Sequence, residues 1–254
     1  MIKLVLVLIA LLLSACASNG GGSDGAQVDT TTRSQAIAKI HTELADSYFG
    51  RKQYGIALQE IDTALRAESR YAPAFNMRGL IRMELLENDR ADEDFKRSLQ
   101  LDPRDSRTHN NYGWFLCNSG HEKKSISQFI EALNNPLYST PEKALANAGV
   151  CSQKIGKLKE ANVYFQRALV RQPNLPEALY GLAELSFAER DFIGAKSYFL
   201  KYQEKLLELT AENLWLAVRI EREVNDANSE QSYALQLRKH FPDSRETQLL
   251  LKGE

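Results

Sequence analysis

The sequence predicts an all-α chain built as a solenoid of stacked helix pairs. Three observations carry this. First, a small residue, an apolar residue four positions on and a third packing residue three further recur. They stand at Ala57/Ile61/Ala64, Ala91/Phe95/Ser98, Ser125/Phe129/Ala132, Ala161/Phe165/Ala168 and Ala195/Phe199/Tyr202. Second, the first positions of these triplets are spaced by 34, 34, 36 and 34 residues. Third, thirteen residues before each triplet lies another group on helical spacing: Leu44, Ala45 and Tyr48; Arg78, Gly79 and Arg82; Tyr112, Gly113 and Leu116; Ala148, Gly149 and Ser152; Leu182, Ala183 and Ser186. A period of this size marks repeated supersecondary units that bury their apolar faces against one another.

Each unit then reads as a helix A followed by a helix B. Where A crosses B, and where B meets the next A, the axes approach too closely for a large side chain, and rings fill the neighbouring holes. Pro103 and Pro173 cannot continue a helix and close their units. At these slots the sequence resembles the tetratricopeptide repeat, with small residues at positions 8, 20 and 27 and proline at 32. The resemblance implies a right-handed superhelical solenoid of six tetratricopeptide repeats.

Taken in order, residues 1–15 are expected to be a lipoprotein signal peptide. Lys3 supplies a positive n-region, and Leu4–Leu13 is an apolar run too short to span a bilayer. Leu13-Ser14-Ala15-Cys16 resembles the lipobox of bacterial lipoproteins. That resemblance implies acylation at Cys16 and, because Ala17 rather than aspartate follows, the periplasmic face of the outer membrane. Three acyl chains exceed the two signals that stable anchoring needs. The alternative is an ordinary cleaved signal with a chance cysteine. Residues 16–33 are expected to form the lipidated N-terminus and a flexible tether, rich in Gly, Ser, Asn and Thr around Gly20-Gly21-Gly22.

The repeat domain is expected over 34–254. Its units fall at about 38–71, 72–105, 106–139, 142–175, 176–209 and 211–244, with a short capping helix near 245–252. The two extra residues fall at 134–141, where Pro136 and Pro141 interrupt the pattern. The sixth unit keeps Leu214, Ala217, Leu237 and Pro242 but loses the aromatic slot, as terminal units often do.

Chemistry is scarce. The net charge of -1 leaves no electrostatic footprint for nucleic acid. His41, His109, His121 and His240 have no neighbours at metal-ligand spacing. Phosphate loops, nucleophile elbows and paired-cysteine zinc motifs are absent from the sequence. The expectation is a non-enzymatic protein with no cofactor, no metal and no small-molecule substrate.

Cys117 and Cys151 fall at positions 12 and 10 of the A helices in the third and fourth units. Adjacent A helices pack side by side, so the two are expected as spatial neighbours. A disulfide is favoured in a periplasmic protein, two buried free thiols being the alternative. Positions 2, 5, 9, 12 and 13 of helix A line the concave face of such solenoids. Among them Phe49, Asn76, Leu80, Met83, Asn110, Trp114, Tyr180 and Phe187 form a candidate partner-binding groove suited to a peptide or helix. Asn111 and Lys143 match two positions of the carboxylate clamp of chaperone-binding repeats. Asn147 stands where that clamp has arginine, so the activity is not expected here.

Lipobox, Gly/Ser tether, six repeats and a cysteine pair together resemble the type IV pilus biogenesis lipoproteins, the pilotins of the pilus secretin. His109–Cys117 (HNNYGWFLC) and Ala144–Cys151 (ALANAGVC) are the most family-like segments. The resemblance implies a partner, the secretin subunits, whose outer-membrane localisation and multimer assembly the protein aids. The competing expectation is an envelope repeat lipoprotein that acts as adaptor or activator of a cell-wall synthesis enzyme.

Overall fold

The structure, a computed structural model, describes the backbone of residues 24–253 and the side chains of residues 32–253. The signal segment and Cys16 lie outside the described residues. Six A helices are α1 (Asp24–Gly50), α3 (Ala72–Glu84), α5 (Ser106–Asn118), α7 (Pro141–Lys154), α9 (Pro176–Ala188) and α11 (Ala211–Glu223). Their B partners are α2 (Tyr54–Ala67), α4 (Asn88–Leu101), α6 (Glu122–Leu133), α8 (Leu158–Arg171), α10 (Phe192–Gln203) and α12 (Ala227–His240), and α13 (Arg245–Lys252) follows. The described residues contain no strand. Each A helix packs chiefly on its own B helix and then on its neighbours in the array, the arrangement of a tetratricopeptide solenoid.

The recurrent slots form the spine of the core. Ala57, Ala91, Ser125, Ala161 and Ala195 are fully buried, as are Ile61, Phe95, Phe129 and Phe165. In the second, third and fourth units the glycine at position 8 makes room for a ring. A Cβ added to Gly79, Gly113 or Gly149 would lie 2.9, 2.7 or 2.5 Å from the ring of Phe95, Phe129 or Phe165. Phe165 is confined from both sides, because a Cβ on Gly181 of the next A helix would also collide with it. In the sixth unit Ala234 occupies the aromatic slot, and Tyr233 beside it supplies the ring, set edge-on to Phe199 at 6.1 Å.

Every turn from A to B uses a residue in the left-handed region: Lys52, Leu86, Gly120, Gly156, Arg190 and Asn225. In each, the amide three residues beyond the helix reaches back to a carbonyl, as from Gln53 to Tyr48 and from Glu87 to Arg82, both at 2.9 Å. This satisfies carbonyls that the helix end would leave orphaned. Only two of the six positions use the residue that adopts this conformation freely. Two B-to-A connections are longer than the rest, 134–140 between α6 and α7 and 204–210 between α10 and α11. The first falls at the interruption expected from the sequence. There Asn135 turns the chain by accepting from the Leu137 amide at 3.0 Å, and Pro141 opens the next helix.

One boundary differs from expectation. The sequence predicts a tether reaching residue 33, but α1 begins at Asp24. Once the packed part of α1 has paid for nucleation, extending it backwards adds one hydrogen bond per residue fixed.

Candidate functional site

The A helices stand side by side, and their inner faces carry a chain of asparagines. Asn147 on α7 donates to Asn110 on α5 at 3.0 Å, and Asn111 donates to Asn76 on α3 at 3.1 Å. Asn110 and Asn111, adjacent on α5, meet at 3.5 Å. A carboxamide both donates and accepts, so it can bridge neighbouring repeats without leaving a charge to desolvate. Asn76 and Asn110, expected to line an open groove, are only 5% and 9% exposed. They sit where adjacent A helices approach, and each amide partly satisfies the next.

Two hollows open on this face. The first, of about 320 Å³, lies among α1, α3 and α5 and is bordered by Thr42, Asp46, Pro73, Asn76, Leu80 and Asn111. The second, of about 430 Å³, is bordered by Gln153, Glu184, Phe187, Phe192, Leu216 and Arg219. Arg219 stacks over Phe187 at 4.2 Å, and Gln153 donates to Glu184 at 3.2 Å. Burial pushes the Glu184 carboxyl above its ordinary value of 4.5, while hydrogen bonds from Gln153 and Tyr180 pull it back.

The expected apolar anchors do not form one exposed stripe. Leu80 borders the first hollow and Phe187 the second. Phe49 is half-buried against Tyr54, with ring centroids 5.8 Å apart. Met83 is half-buried against the cluster around Phe95, and Tyr180 packs on Tyr202 at 5.0 Å. Trp114 packs beside Cys117 and Cys151, with Lys154 over its ring at 5.8 Å. The spacing of repeats draws these side chains into the seams between units, where they serve packing as much as recognition.

Cys117 and Cys151 are joined by a disulfide with Cα atoms 5.9 Å apart. It ties α5 to α7 directly beneath Trp114, and so fixes the groove wall where the irregular 134–140 connection interrupts the array. His41 pairs with Glu60 at 2.6 Å, and His109 bridges Gln128 and the Pro103 carbonyl at 2.8 and 3.0 Å. No cluster of metal-binding side chains exists among the described residues, and none of their helices is long and apolar enough to cross a membrane.

Sequence reasoning missed Arg219 as a groove residue. Carrying the same A-helix register into the sixth unit places it at position 9, alongside Asp46 and Glu184 of earlier units. In the sequence Asn147 stands out only as a departure from the clamp's arginine, and its pairing with Asn110 emerges from the packing of α7 on α5.

No family model matches the chain. Among curated proteins it is 26% identical over 241 residues to the type IV pilus assembly protein PilF of Pseudomonas aeruginosa, covering 95% of this chain and 94% of that one. A solved structure of Pseudomonas aeruginosa PilF superposes with a TM-score of 0.81 at 25% identity, over 87% of this chain and 99% of that one. The crystal structure of PilW, described as a widely conserved type IV pilus biogenesis factor, superposes with a TM-score of 0.77 at 35% identity, over 85% of this chain and 98% of that one. A tetratricopeptide repeat protein of Parabacteroides merdae shares the fold at 17% identity, with a TM-score of 0.62. The likeness to PilW spans nearly all of that chain, and this protein belongs to the tetratricopeptide-repeat proteins of type IV pilus biogenesis.

Proposed function

We propose that this protein is an outer-membrane lipoprotein, anchored through Cys16 on the periplasmic face, that binds subunits of the type IV pilus secretin. It promotes their localisation and assembly into the multimer, and does so without catalysis. The observation that carries the reading is the likeness to PilF and PilW across nearly their whole length. The Leu13–Cys16 motif supports the anchor. The hollowed inner face, with polar amides at its floor and apolar groups at its seams, supports binding of a polypeptide.

The test is a deletion strain complemented with the wild-type chain or with Cys16→Ser. The wild type should restore heat-resistant secretin multimers in the outer membrane. The variant should leave subunits unassembled or misplaced while its repeats stay folded by circular dichroism. Unchanged multimers in the uncomplemented deletion would end this reading. Altered murein cross-linking with intact multimers would point to cell-wall synthesis instead.

A further inference from the structure

The hollow among α1, α3 and α5 has a polarity that its apolar border does not explain. Four carboxylates stand around it, Glu43, Asp46, Asp102 and Asp105, against a single guanidinium, Arg107. Asp105 is engaged in capping α5 through the Arg107 and Thr108 amides, and Asp102 accepts from the Arg104 amide. Glu43 approaches Lys39 only at 3.9 Å, with both side chains largely exposed. Asp46 is exposed and pairs with no described residue. At the floor, one end of the Asn76 carboxamide is held by Asn111 while the other end has no protein partner, although the side chain is only 5% exposed. That donor is not sealed in as an orphan: it opens on the hollow, where it can donate to an incoming acceptor.

We infer that this hollow receives an extended peptide segment carrying a lysine or arginine, with a main-chain carbonyl of the segment accepting from the free Nδ2 of Asn76 and the cation lying among Asp46, Glu43 and Asp102. The two features select different things. The free amide donor matches a peptide carbonyl whatever the sequence, because every residue presents that acceptor. The carboxylates select the charge and accelerate encounter. Leu80 and Pro73 leave room on the same wall for an apolar neighbour of the cation. This rests on the reading of the protein as a secretin-binding factor, and names the kind of segment it takes.

The experiment uses capped 15-residue peptides tiling the cognate pilus secretin, with binding to the full chain read by fluorescence anisotropy. The peptides that bind should contain Lys or Arg. Changing that residue to Gln should weaken binding about tenfold, as should Asp46→Asn, and Asp46→Lys should weaken it further. Raising salt should weaken wild-type binding and leave the Asp46→Asn remainder flatter. Asp46 is exposed and unpaired, so its variants keep the melting temperature. Replacing the amide whose carbonyl meets Asn76 by an ester, a weaker acceptor, should weaken binding in wild type and change it little in Asn76→Ser. Binding peptides without a basic residue, or binding indifferent to Asp46→Lys, would overturn the inference. If no peptide binds while the intact secretin domain is still captured, the extended-segment mode fails and the proposed function stands. If neither binds, both fail.

Discussion

The second to fourth repeats and the sixth solve the same packing problem in opposite ways. In the former, glycine at position 8 of helix A faces phenylalanine on helix B, as in Gly79–Phe95, Gly113–Phe129 and Gly149–Phe165. In the sixth the volumes are exchanged: Val218 stands at the glycine position and Ala234 at the ring position, both buried in one cluster. The displaced ring reappears one residue earlier as Tyr233, whose hydroxyl reaches Gln203 at 2.7 Å. The crossing is filled in both cases by a different distribution of side chains, as a close-packed interior requires. Among the described elements the short α13 alone packs beyond this unit, which leaves it room for the exchange.

The largest expected effect that tests this contrast is Phe165→Ala. The ring is fully buried between two glycine-bearing helices that are unable to collapse onto the space left. The substitution should cost roughly 3–5 kcal/mol in chemical denaturation, and a loss below 1 kcal/mol would mean the crossing is loosely packed. Next comes the disulfide, which closes a separation of 34 residues. Replacing both cysteines by serine should cost about 3 kcal/mol, chiefly by freeing the unfolded chain. Reductant should lower the melting temperature of the wild type and leave the double variant unmoved.

A smaller effect is expected from overpacking. Gly149→Ala pushes a methyl against the Phe165 ring and should cost about 1–3 kcal/mol. In the sixth repeat, by contrast, Val218→Ala and Ala234→Phe should each destabilise alone, yet the pair together should recover part of the sum, a coupling of about 1 kcal/mol. Strict additivity in that cycle would break the idea that the volumes were exchanged. The smallest effect lies in the turns. Leu86 is exposed at a φ of 60° where Gly120 and Gly156 serve in other repeats. Leu86→Gly should stabilise by about 0.5 kcal/mol, the relief of left-handed strain exceeding the added freedom of the unfolded chain. A lower melting temperature would show that the side chain contributes packing that the comparison of turns overlooks.

The period of 34 made the fold legible, because small and aromatic residues recur wherever two helix axes cross. The site was less legible. Register along helix A placed Leu80, Asn76 and Asp46 near one another, but it gave no measure of burial. Whether Trp114 or Met83 faces the groove or the seam depends on a rotation of a few tens of degrees about the helix axis, which spacing alone does not resolve. The asparagine chain was hidden for another reason. Asn76 and Asn111 lie 35 residues apart, one more than the period, so they meet across repeats as offset rather than equivalent positions.

The confinement of Phe165 makes it a gauge of motion as well as a filler of space. A phenyl ring can turn about its own axis only when its walls retreat, and here the walls are the backbones of α7 and α9 at Gly149 and Gly181. The rate at which its two edges exchange, visible in the line shapes of its ring protons, therefore times the momentary separation of adjacent A helices. A partner that clamps the inner face would slow that rotation from the far side of the same helices, so a ring that touches no ligand would register when one is held.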